Sequence, residues 1–182
     1  MYGSKIHEKN TKYTGTAMAL HWLMMLLIFT LIGLGWYMAD LPKGEQRSAF
    51  FALHKSVGLT VFLLALFRLS WRLSHPPPRL PASLEPWRRR FAGVIHFAMY
   101  CCMFLQPLSG YLSSSFSGYA TRYFGIPLPQ WGWEDKFLNE LFSSIHQASA
   151  FTLCSLITIH ALAALSHALP GQEPVLRRML PW

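Results

Sequence analysis

Charge is what this 182-residue sequence has least of: Asp, Glu, Lys and Arg make up only 13% of it. That is about half of the roughly 25% usual in soluble globular domains. The acidic sign is scarcer still, with eight carboxylates against sixteen Lys and Arg. Cysteine is confined to Cys101, Cys102 and Cys154, an odd number that excludes a disulfide framework. Low-complexity tracts and internal repeats are absent. With 52% apolar residues the chain is also no candidate for intrinsic disorder. Its length suits one domain, 1–182.

The missing charge is missing in blocks. Tyr13 to Ala39, Phe91 to Thr121 and Leu141 to Gln172 contain no Asp, Glu, Lys or Arg. A bilayer core needs about 20 apolar helical residues, and three buried soluble helices of this length would leave so short a chain without a surface. A fourth apolar segment, Ala49 to Phe67, carries His54 and Lys55 near its start and meets Arg68 and Arg72 at its end, where long basic side chains snorkel to the interface. The expectation is an all-α membrane protein, a four-helix bundle with spans at about 15–38, 49–72, 91–115 and 143–168. The first span exceeds a signal-peptide core and lacks a small-x-small cleavage site, so it reads as permanent.

Loop charge sets the expected orientation. Eleven of the sixteen basic residues, but three of the eight acidic ones, fall in the N-terminus, the middle connector and the tail, so this side carries the whole net +8. The positive-inside rule places both termini in the cytoplasm. The basic balance is then a topology signal, and no nucleic-acid partner is implied. The connector from His75 to Pro86 holds five of the twelve prolines and cannot be a regular helix. In the outer loop between helices three and four, Trp131 and Trp133 suit the interface, and EDKFLNELF reads as a short amphipathic helix lying along it.

Against so little charge, the histidines stand out. His21, His54, His96, His146 and His160 fall in or at the ends of spans, where ionisable residues are costly and functional by default. Helices one and three enter from the inner side, which puts His21 and His96 near that face; helix two enters from the outside, which puts His54 near the other. Helix four carries both His146 and His160. Fourteen steps separate that pair by about 21 Å and leave them about 40° apart on the helix wheel. One face therefore presents imidazoles at two depths: His54 and His146 at the outer level, His21, His96 and His160 at the inner. Two axial imidazoles per iron would hold two stacked haems, non-covalent and b-type because C-x-x-C-H is absent. Spacing leaves open whether His21 or His96 faces His160. Ala17, Gly58, Ala150 and Ala164, one turn from the histidines, leave room for a flat ring. Zinc would want a compact cluster instead. Arg68 and Arg72 are candidates for haem propionates, and His7 and His75 read as loop residues without a role.

These segments resemble one family. ALHWL around His21, LHKSVGLTVFLLALFRLSWR around His54, HFAMYCCMFLQPLSGYL from His96, IHQASAFTLCSLITIHALAALSH and the ending RRML are similar, in order and spacing, to the bacterial cytochrome b561 proteins. The resemblance implies a dihaem b cytochrome of the inner membrane, with His21 and His160 on the inner haem and His54 and His146 on the outer. It leaves His96 near the propionates or a quinone. It also implies electron exchange with quinone, and one branch oxidises superoxide while reducing ubiquinone, with a position matching His167 associated with the quinone. The expected function is electron transfer across the membrane between an outer donor, superoxide or a periplasmic redox partner, and ubiquinone. Lys55 and Arg122 or Lys136 would attract an anionic donor, and the Trp131–Trp133 loop would dock a protein one. The rival expectation is a membrane anchor or relay subunit of a larger redox complex. Oligomeric state is not legible.

Overall fold

The computed structural model describes residues 12–78, 84–166 and 175–180. Four long helices run up and down: α1 (Gly15–Asp40), α2 (Glu45–Ser74), α3 (Pro86–Phe116) and α4 (Lys136–Ser166). All four are long and apolar enough to cross a bilayer. In hydrocarbon only a helix satisfies its own backbone groups within one segment, so charge-poor stretches of this length have little alternative. The chain is a multi-pass, all-α membrane bundle.

Local signals set the helix ends. Thr14 caps α1, its Oγ1 accepting the Ala17 N–H at 3.3 Å. Pro86 opens α3, where a missing N–H costs nothing. Where the sequence suggests a separate interfacial helix over EDKFLNELF, the structure has the first turns of α4 instead. Asp135 starts that helix, its Oδ1 accepting from the Leu138 N–H at 3.0 Å and its carbonyl from the Asn139 N–H at 2.9 Å. No Gly or Pro follows before Ser166, so nothing interrupts the helix.

The start of α1 and a 3-10 turn at Leu176–Met179 share one end of the bundle, called here the terminal end. The Tyr13 N–H donates to the Arg178 carbonyl (3.2 Å), and Trp22 Nε1 donates to the Met179 carbonyl (2.9 Å). At the opposite, loop end, β1 (Arg122–Tyr123) and β2 (Ile126–Pro127) form a small antiparallel hairpin. Phe124 and Gly125 turn it with φ of 46° and 90°, the positive values that two-residue hairpin turns need. Ser56 Oγ accepts the Phe124 N–H (3.0 Å), and Tyr123 shares a hydroxyl contact with Thr60 (3.2 Å), which ties the hairpin to α2.

Packing is uneven. α3 lies most extensively on α4 and α1 on α2, while α4 makes almost no backbone contact with α1 or α2. The buried cluster of Met24, Val61, Ala65 and Met103, backed by Leu27, Ile28, Leu31, Leu64 and Phe104, fills the middle of the bundle. It stands between the two levels at which the histidines gather.

Candidate functional site

α4 is the spine of the site. Its His146 reaches His54 on α2, and its His160 reaches His21 on α1; in both pairs the ring centres are 6.2 Å apart. The imidazoles thus bridge gaps between helices whose backbones stand apart. One metal ion held between two imidazoles, with bonds of about 2 Å, sets ring centres about 6 Å apart. The third inner histidine sits closer, with His96 at 5.1 Å from His160, about an ångström too near for the two to share an iron from opposite sides. Among the described residues no three His, Cys, Asp or Glu side chains form a compact metal cluster.

The levels have a regularity that extends beyond α4. His21 and Gly35 on α1, His54 and Arg68 on α2, His96 and Gly110 on α3, and His146 and His160 on α4 are each fourteen residues apart. Every helix thereby supplies one residue to each level. At the loop-end level His54 lies over Gly35, where an added Cβ would stand 3.4 Å from its Cε1. His146 lies over Gly110, where an added Cβ would stand 3.1 Å from both Cε1 and Nδ1. At the terminal-end level Arg68 touches His21, with Nη2 3.5 Å from Nδ1 while Nη1 donates to the Ala17 carbonyl at 3.0 Å. Sequence reasoning passed over Gly35 and Gly110, although the interval read on α4 recurs on the other three helices. Gly58, expected to make room near a histidine, fronts open space.

Hydrogen bonds orient one ring in particular. His146 Nδ1 donates to the Gln106 carbonyl at 2.9 Å, with Ser109 Oγ 3.4 Å away, so the lone pair is on Nε2, the nitrogen left to bind a metal. The Gln106 amide is hydrogen-bonded to Ser149 (3.0 Å), which holds the same two helices together one turn on. His54 Nδ1 is shielded and has no hydrogen-bond partner among the described residues.

The remaining expected positions are scattered. Arg72 lies with Arg68 in the wall of a pocket at the terminal end, which the loop residue His75 also lines, stacked on Trp71 at 4.0 Å. His167 and His7 lie outside the described residues. Lys55, expected to draw anions at the surface, turns inward and donates to Ser114 Oγ at 2.7 Å, which in turn bonds Thr121 at 2.6 Å. Arg122 is exposed, and Lys136 is exposed in a 3.8 Å pair with Glu140. Trp131 and Trp133 are exposed as expected for interfacial side chains.

Comparison with known proteins shows the family. The profile of the family described as prokaryotic cytochrome b561 matches residues 12–182. The cytochrome b561 homolog 2 of Escherichia coli is 29% identical over 172 residues, 93% of this chain and 91% of its own. The cytochrome b561 homolog 1 of the same organism is 25% identical, covering 93% and 97%. A probable superoxide oxidase, CybB, of Yersinia pestis is 26% identical, covering 93% and 96%. The chain belongs to the prokaryotic cytochrome b561 family, and is a membrane b-type cytochrome of electron transfer.

Proposed function

We propose that this cytochrome binds two b-type haems and moves electrons across the inner membrane between a donor at the loop end, superoxide or a periplasmic redox protein, and ubiquinone at the terminal end. The observation that carries this reading is the equal 6.2 Å separation of His54 from His146 and of His21 from His160, at two levels of one helix. Charge supports the orientation: the terminal end carries the basic flanks of the sequence and is the cytoplasmic side.

His21 and His160 hold the inner haem iron, and His54 and His146 the outer one. The haems, when bound, supply one-electron couples that no side chain can. The protein's own groups do the rest. The Gln106 carbonyl fixes the protonated nitrogen of His146, and ligation through Nε2 would leave the His54 proton on Nδ1, which has no partner among the described residues. Met24, Val61, Ala65 and Met103 keep the space between levels free of water. Arg68 and Arg72 carry charge suited to the inner haem's carboxylates. His96, beside His160 but too near to oppose it, is a neighbour of the inner site with a hydrogen bond to offer a propionate or a quinone. His167 is the proposed quinone partner.

A second reading, an electron-relay or anchor subunit, is favoured by the exposed aromatic side chains of Tyr119, Phe124, Trp131 and Trp133 at the loop end, a surface on which another subunit could sit. Superoxide-driven ubiquinone reduction by the purified, haem-loaded protein separates the two. Turnover supports the oxidase reading; two haems with no turnover on superoxide leave a protein donor or the relay, which co-purification of a second subunit would favour.

A further inference from the structure

At the terminal end, Arg68, Trp71 and Arg72 on α2 and His75 just past its end close a pocket with Tyr13 and Ala17 at the start of α1 and Tyr100 on α3. The chemistry of its side chains is one-sided: among the described residues, two guanidiniums a turn apart on one helix line it together with two phenols, and no carboxylate does. Arg68 donates to the Ala17 carbonyl (3.0 Å), and its other terminal nitrogen lies 3.5 Å from His21 Nδ1. Trp71 Nε1 is engaged by Thr14 Oγ1 at 2.9 Å, and its ring lies flat on His75, 8° from parallel, so this wall is stiff. The Tyr100 hydroxyl is shielded from solvent and has no hydrogen-bond partner among the described residues. A buried hydroxyl without a partner is rare, and this one belongs to a side chain that lines the same pocket as two guanidiniums, so an acceptor lodged in that pocket would complete it. Guanidiniums match the planar oxygens of carboxylate and phosphate groups.

We propose that Arg68, Arg72 and Tyr100 form a built site for one oxyanion, with Tyr100 as its neutral donor. The site rests on the haem reading only through its first source of that anion: a propionate of the haem that His21 and His160 would hold, His21 lying beside Arg68. The phosphate of an anionic lipid in the adjacent leaflet offers the same chemistry from outside.

The test uses full-length protein loaded with haem carrying isotopically labelled propionates, in wild-type form and as Tyr100→Phe and Arg72→Gln, with Tyr119→Phe as an exposed control. Redox-difference infrared spectra read the propionate bands, potentiometry reads the inner haem, and phosphorus analysis reads phosphatidylglycerol retained through purification. With a propionate in the site, Tyr100→Phe shifts the propionate bands and moves the inner haem up to about tenfold toward its oxidised form at fixed potential, a fraction of one lost hydrogen bond to an anion. Haem content stays at two. With a lipid phosphate in the site, those bands hold still, and Tyr100→Phe and Arg72→Gln lose phosphatidylglycerol that the wild type retains. Two bound haems with neither response would overturn the site alone; a wild-type preparation without haem would overturn the haem reading and its propionate source together.

Discussion

Replacing Gly110 by alanine adds a methyl group 3.1 Å from both Cε1 and Nδ1 of His146, closer than carbon and nitrogen normally approach. The ring must retreat by a few tenths of an ångström, and the bond it would stretch is the 2.9 Å one from Nδ1 to the Gln106 carbonyl. Losing that bond in a buried place costs about 1–3 kcal/mol, and comparable losses behind metal ligands lower affinity about 10- to 100-fold. Alanine is meanwhile the better helix former by about 1 kcal/mol, so the helix itself is not weakened. Titrating purified apo-protein with haem should show the outer haem bound about 10- to 100-fold more weakly in Gly110→Ala, with the inner haem unchanged. Gly35→Ala, where the added Cβ meets His54 at an ordinary 3.4 Å, should cost much less, and Gly93→Ala, which meets nothing within 4 Å, nothing. A Gly110→Ala protein with wild-type outer-haem affinity, or a Gly35→Ala protein damaged more severely, would refute this account of the loop-end level.

Other substitutions follow from the same geometry. His160→Ala should remove the inner haem and leave the outer, and His146→Ala the reverse, read from the haem content and the split of the reduced-minus-oxidised spectrum. Lys55→Met breaks the link to Ser114 and should loosen the hairpin at Arg122–Pro127, with faster protease cleavage there and a stability loss of about 1–3 kcal/mol. Lys136→Gln removes only an exposed pair with Glu140 and should change thermal stability by less than about 0.5 kcal/mol.

The helices were legible in the sequence because a bilayer leaves so few choices: an uncharged stretch as long as Phe91 to Thr121 has to be helical for the length that crosses it. His146 and His160 were legible for a similar reason, since their interval fixes both depth and face. What the sequence did not disclose depends on which helices come together. Gly110 becomes informative only once α3 lies on α4 and brings it under His146. Tyr100 looks like one more aromatic until it lines a pocket with Arg68 and Arg72 and its hydroxyl is buried without a partner among the described residues. Lys55 reads as a surface cation until Ser114 appears opposite it. The hairpin at Arg122–Pro127 is two residues per strand, too short for an alternating pattern, and EDKFLNELF lost its separate identity because Asp135 starts a helix that nothing then stops.

The central claim is that α4 holds one haem at His146 and another at His160, each with a partner on a different helix. Haem quantification of the purified protein, with a reduced-minus-oxidised spectrum of its pyridine derivative, tests it directly. Two non-covalent b haems per chain are the expected result; a chain with one haem or none, or with haem that organic solvent cannot extract, would contradict it.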